Sequence, residues 1–242
     1  RAAVAHLGAR SWPPRPGTTW RYGAALGACG EASQARRAFL AYLDTARPPE
    51  RWRRQMLHYN SWFDMHSWQD DEFFSDYSIY RLLLREEMTE DLALDRVQTF
   101  SEALGRNHSL PLDSYLWDDG WDDPKTLWDF DRVRFPQGFS KVAAVAKAHG
   151  GGTGVWLSPW GGYGTAQRQR LELGIKKGYE INEGGFSLAG PRYFERFRDA
   201  VLSMRRDYNV NLFKFDGVAG DPGQVAEEME AMLTLIAEIR SA

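Results

Sequence analysis

The chain has 242 residues, 43% of them hydrophobic, and its 30 Lys and Arg against 33 Asp and Glu leave a formal net charge of −3. That balance describes an ordinary globular fold and offers no basic patch for nucleic acid. No apolar run approaches the roughly 18 residues a membrane span needs, and the single cysteine, Cys29, excludes an internal disulfide framework.

Residue 1 is Arg rather than Met, and the last amphipathic segment, 224–240, ends with neither a cap nor a following strand. The sequence is therefore expected to be an internal piece of a longer protein. Up to residue 49 it has Pro- and Gly-rich turns (Trp12-Pro-Pro-Arg-Pro-Gly17) and a helix expected from Glu31 to Thr45, closed by Arg47-Pro-Pro49. Residues 1–49 thus read as the tail of a preceding domain and a linker, and 50–242 as a second domain.

From residue 50 strands alternate with helices, the pattern of a parallel α/β sheet. Met56-Leu-His-Tyr-Asn-Ser-Trp62 is the first expected strand, followed by a long aromatic- and acid-rich loop. A helix begins after Thr89, its expected N-cap, and carries Ala93, Val97, Phe100 and Leu104 on one stripe. Asp113 to Asp118 is the second strand, and 140–149 a short helix with Val142, Val145 and Ala146 inward. Thr153 to Ser158 is the third strand, and Gln167 to Lys177 a helix closed by Gly178. Pro191 opens another helix, whose stripe of Tyr193, Phe194, Phe197, Val201 and Met204 leads into a fourth strand, Val210 to Asp216.

Strands so spaced, with long loops after them, match the N-terminal half of a (β/α)8 TIM barrel. A doubly wound sheet is the alternative, but no strand is followed by the Gly-x-Gly-x-x-Gly turn of a nucleotide site. No motif asks for a cofactor.

In a barrel the chemistry gathers where strands end. Alternation puts Val210, Leu212, Lys214 and Asp216 on one face of the fourth strand, so a cation stands beside a carboxylate and favours its ionised, nucleophilic form. An ordinary salt pair would look the same. The second strand ends in Trp117-Asp-Asp-Gly-Trp121, and both Asp118 and Asp119 face one site only if the chain bends, as Gly120 permits. The acids lack EF-hand order, and His58 and His66, placed about the tip of the first strand, have no zinc spacing, so no metal is expected. Trp62, Trp117, Trp121, Trp156 and Trp160 fall at or past strand ends, as a ring around one pocket would, although some of them are expected in the core.

Tyr59-Asn-Ser-Trp62, Trp117-Asp-Asp-Gly-Trp121, Phe135-Pro-Gln-Gly-Phe139, Gly154-Val-Trp-Leu157 and Lys214-Phe-Asp216 occur in this order. In that order they resemble the α-galactosidase-like retaining glycoside hydrolases of families 36 and 27. The resemblance implies Asp216 as the nucleophile, Lys214 as a ligand to sugar hydroxyls, and Asp118 and Asp119 as the pair holding the galactose 4- and 6-hydroxyls. It also implies that Trp62 and Trp156 line the galactose pocket, that the acid/base lies on a later strand beyond Ala242, and that residues 1–49 end a β-rich domain. The implied partner is a carbohydrate substrate. Two segments depart from the family: Ser158-Pro-Trp-Gly-Gly162 stands where family 36 has Pro-Glu-Met, and Lys-Phe-Asp-Gly replaces Lys-Trp-Asp. A transferase resembling raffinose synthases and a non-catalytic sugar-binding barrel are the alternatives.

Overall fold

The computed structural model describes residues 26–46, 55–66, 86–217 and 226–242. The chain forms two compact units, one over Pro13–Met56 and one that includes Leu57–Ala242. In the first, a 3-10 turn at Ala32–Gln34 runs into helix α1 (Ala35–Ala46), where a helix was expected. The expected boundary near residue 49 and most of the long loop after the first strand lie outside the described residues.

The second unit is built on four strands, β1 (His58–Asn60), β2 (Ser114–Trp117), β3 (Gly152–Leu157) and β4 (Val210–Phe215). All neighbours pair in parallel, and the order across the sheet is the order along the chain. The sheet therefore has no reversal of strand order among the described residues, and such a reversal is what defines a doubly wound fold. Helix α2 (Glu90–Phe100) lies between β1 and β2, and α3 (Ser140–Ala148) between β2 and β3. Helices α4 (Gly164–Lys177) and α5 (Pro191–Tyr208) lie between β3 and β4, and α6 (Ala226–Ser241) follows.

The helix ends follow their local chemistry. Thr89 accepts the Leu92 N–H at 3.3 Å, with Glu90 and Asp91 in the first turn where the helix dipole favours them. Pro191 opens α5, where its missing N–H costs nothing.

One face of the sheet meets the helices. Tyr59 packs on Phe100, the Tyr115 hydroxyl bonds Ser101 Oγ at 2.8 Å, and Phe215 lies 6.1 Å from Phe197. Register sets the opposite face in layers, with Asn60, Leu116, Gly154 and Leu212 side by side and Trp156 beside Lys214 one step nearer the tips.

Simple alternation fails at one position. The β3–β4 register shifts between Val210 and Leu212, so Val210 pairs with Thr153 and joins the buried helix-side core. The bulge at Asn211 inserts one residue, and Val210 therefore does not share the face of Lys214. Asn211 Nδ2 donates to the Asp113 carbonyl at 2.9 Å.

Phe197 of α5 is fully buried and joins Trp128 (5.8 Å between centroids), Tyr193 (5.9 Å) and Phe215. It ties β4 to the loop after β2. Phe197→Ala is expected to lower stability by about 3–5 kcal/mol, the usual cost of deleting a buried aromatic, measured as a shift in the midpoint of urea unfolding.

Candidate active site

Strand β4 ends at Phe215, but the ladder continues one residue: the Asp216 N–H donates to the Leu157 carbonyl at 3.0 Å. The sheet thereby fixes the backbone of Asp216. Its Oδ2 accepts the Trp156 indole N–H at 3.2 Å and lies 3.4 Å from Lys214 Nζ. Its Oδ1 accepts the Gly217 N–H at 2.9 Å and the Tyr163 hydroxyl at 3.3 Å. Burial works against its charge, yet the Trp156 N–H, the Lys214 ammonium and the Gly217 N–H together hold its carboxyl below the usual range. Asp216 is thus a partly exposed carboxylate kept ionised by fixed donors.

Lys214 does more than pair with its neighbour. Its ammonium is closer to Asp118 Oδ2, at 2.9 Å, and it lies 5.7 Å from the Trp62 ring centroid. One cation therefore bridges carboxylates from the tips of β2 and β4 beside an aromatic ring from the end of β1. Trp62 is presented by a 3-10 turn at Ser61–Phe63, in which the Asn60 side chain accepts the Trp62 N–H at 3.0 Å. Ser61 Oγ accepts the Asp118 N–H at 2.8 Å and locks that tip to the next.

Asp118 and Asp119 are both buried. The bend their convergence required is present: Gly120 has φ 117°, and the Asp119 N–H donates to Asp118 Oδ1 at 2.9 Å. Asp119 Oδ1 lies 3.4 Å from Nη2 of Arg170.

Arg170 projects from α4 and is fully buried. Its fork meets both oxygens of the buried Asp122, with Nη2 at 2.7 Å from Oδ1 and Nε at 3.1 Å from Oδ2. Its Nη1 donates to the Gly161 carbonyl at 2.9 Å, and the guanidinium lies over Trp128 at 4.4 Å. Burial alone would lower its pKa, but Asp122 and Asp119 raise it, so it stays charged. The loop leaves room for nothing larger than glycine at position 162, where a Cβ would sit 2.6 Å from Arg170 Nη1 at a φ of 88°.

The six residues singled out from the sequence, Trp62, Asp118, Asp119, Trp156, Lys214 and Asp216, thus form one connected constellation. The tryptophan ring is smaller than strand-end position suggested. Trp117 is on the helix face, 5.7 Å from Tyr59, and Trp121 packs among Phe130 and Phe139 while donating to the Trp156 carbonyl at 2.8 Å. His58 opens β1, so it lies at the end of the strand away from the tip, and the side chain of His66 lies outside the described residues. Among the described residues no group of three or more His, Cys, Asp or Glu side chains is arranged to hold a metal ion. The acids at the tip of β2 instead face Lys214 and Arg170.

Tyr163 and Arg170 are the site residues that sequence reasoning missed. Burial and the nearby Asp216 charge push the Tyr163 hydroxyl up to about 12, so it remains a donor at neutral pH. Arg170 lies between Ala166 and Gly174 on the buried stripe of α4, a burial that the residue types alone do not announce.

No family model and no curated protein sequence matches the chain. Solved structures do. The GH36 α-galactosidase of Geobacillus stearothermophilus, in complex with raffinose, aligns over 78% of this chain with a TM-score of 0.52 and 15% identity. The fold is similar to part of that of GH36 α-galactosidases. The α-galactosidase of Lactobacillus brevis aligns over 77% (TM-score 0.53, 16% identity), and that of Thermus thermophilus, in complex with p-nitrophenyl α-D-galactopyranoside, over 83% (0.53, 17%). The chain spans only 26%, 25% and 39% of these proteins.

Lys214→Met is expected to raise the Asp216 pKa toward its ordinary value, because the lost cation favoured the charged form. A carboxyl with a depressed folded pKa contributes stability above its unfolded pKa of about 3.9 and loses it as pH falls through the folded value. In the variant the contribution should therefore be smaller and its loss complete at a higher pH, because the folded value has moved up toward the unfolded one. Carboxyl-detected NMR titration checks the shift, and an unchanged Asp216 titration would show that Trp156 and Gly217 suffice.

Proposed function

We propose that this chain carries the nucleophile side of a retaining glycosidase site for α-linked galactose-type sugars, on the first four strands of a (β/α)8 barrel. The observation that carries the proposal is the Asp118–Lys214–Asp216 bridge. It places an ionised, partly exposed carboxylate at a strand tip, with two buried carboxylates and two tryptophans around it. Four parallel strands in chain order and the likeness to galactosidases that bind raffinose and an aryl galactoside support the same view.

Asp216 attacks the anomeric carbon as the bond to the leaving oxygen breaks, giving a covalent glycosyl-enzyme that water then cleaves. Trp156, Gly217 and Tyr163 hold the carboxylate so that an oxygen is aimed before the sugar arrives, and fixed donors need no reorganisation during attack. Lys214 donates to a sugar hydroxyl, Asp118 and Asp119 accept from the galactose 4- and 6-hydroxyls, and Trp62 and Trp156 flank the ring.

Retention also needs a carboxylic acid about 5–5.5 Å from the nucleophile to protonate the leaving oxygen. Asp118 accepts from Lys214 and Asp119 from Arg170, and both are assigned to holding the sugar. From the resemblance to the family, the proton donor is assigned to a later strand outside these 242 residues, and the chain by itself should not turn over substrate.

In the full-length protein, Asp216→Ala is expected to cut turnover of p-nitrophenyl α-galactoside on the order of 10⁴-fold or more. Binding of the galactose-shaped iminosugar 1-deoxygalactonojirimycin, measured by calorimetry, should persist. Undiminished turnover would overturn the assignment. NMR of the first-formed sugar should show the α-anomer, and β-galactose would exclude a covalent intermediate on Asp216. Robust turnover by residues 1–242 alone would place the proton donor inside the chain.

A further inference from the structure

Resting on the glycosidase function proposed above, we infer that Arg170 is a positioning residue that holds the Asp119 carboxylate and the Trp156 indole in place for the sugar. Arg170 lies on α4, in the helix layer, yet its guanidinium reaches elements at the tips of two strands. Nη2 is 3.4 Å from Asp119 after β2, Nη1 donates to Gly161 after β3, and the guanidinium carbon lies 5.9 Å from the Trp156 ring centroid. The same indole donates to Asp216 Oδ2. One side chain thus lies beside both a carboxylate proposed to hold the sugar and the ring that donates to the nucleophile.

Fold stability alone does not call for a charge here. The stripe of α4 around Arg170 is small and apolar, with Ala166 and Gly174 one turn to either side. Desolvating a guanidinium and a carboxylate costs about as much as their attraction returns, and well-packed apolar side chains often serve as well. What an apolar pair could not supply is direction. Asp122 accepts the fork through both oxygens and so fixes the plane of the guanidinium. With the plane fixed, Nη2 points at Asp119, and the guanidinium carbon lies 4.4 Å from the Trp128 ring centroid and 5.9 Å from that of Trp156. Lysine has neither the fork nor the flat face, so arginine is the residue this geometry uses. The order of control runs from Asp122 to Arg170, and from Arg170 to Asp119 and Trp156.

The test is a double-mutant cycle in the full-length protein, read as the Kd for 1-deoxygalactonojirimycin and as kcat and KM for p-nitrophenyl α-galactoside. Arg170→Gln is made together with Asp122→Asn, so that Asp122 does not stay charged without its guanidinium, and near-UV circular dichroism reports folding. This pair is expected to weaken binding about ten- to hundredfold, similar to Asp119→Asn alone. Adding Asp119→Asn to the pair should then cost less than about threefold more, because the carboxylate is already misplaced. Losses that multiply in full would show that Arg170 does not act through Asp119 and would overturn the inference.

Arg170→Lys keeps the charge without the fork, and it should raise KM and lower kcat while the protein remains folded. Unchanged constants would overturn the inference as well, and this variant decides alone if the paired variant does not fold. An unaltered protein that neither binds the iminosugar nor cleaves the galactoside removes the glycosidase function and this inference together. Binding by the unaltered protein with additive losses removes the inference alone.

Discussion

A single ammonium, that of Lys214, lies 2.9 Å from Asp118 and 3.4 Å from Asp216. Two carboxylates gathered at one pocket repel each other, and a cation between them relieves that repulsion where water is scarce. Much of the surrounding structure serves to keep the three groups in reach. The strand ladder extends to the Asp216 N–H, Ser61 anchors the Asp118 N–H, and the Trp62 ring stands beside the ammonium. A second cation, Arg170, plays the matching part for Asp119 and Asp122, deeper and without exposure. The acid-rich tip of β2 is thus matched by basic residues that arrive from distant parts of the sequence.

Those distant arrivals mark what could and could not be read from the sequence. Strands, helix caps and apolar stripes depend on neighbours within a few residues, so Thr89, Gly178 and the Tyr193–Met204 stripe were legible from local pattern. The convergence of Asp118, Lys214 and Asp216 was legible as well, once the strand tips were placed, because alternation and one glycine bend decide which way they point. Arg170 was not. Its partners lie about fifty residues away, and a buried arginine on a helix looks from the sequence like any solvated one.

Tryptophan faces were legible only in part. Trp117 and Trp156 each lie at the end of a strand, yet one turns to the helices and the other to the pocket, since their parity relative to the strand differs. The face of Val210 was misassigned for a related reason: a bulge resets parity, and nothing in the residue types around Asn211 announces one.

That bulge has a consequence for how such a site tolerates change. Below Asn211 the strand answers to the helix layer, where Val210 is packed, and above it to the pocket, where Lys214 and Asp216 must face inward. The extra residue works as a phase corrector between two periodic patterns that would otherwise be locked together. A one-residue insertion or deletion in the turn before β4 can be absorbed by losing or moving the bulge, without rotating the two charged residues out of the pocket. Sequences that diverge widely in α5 and its exit turn can then keep the same pair of charges in place, so similarity at the strand tips can outlast similarity along the rest of the chain.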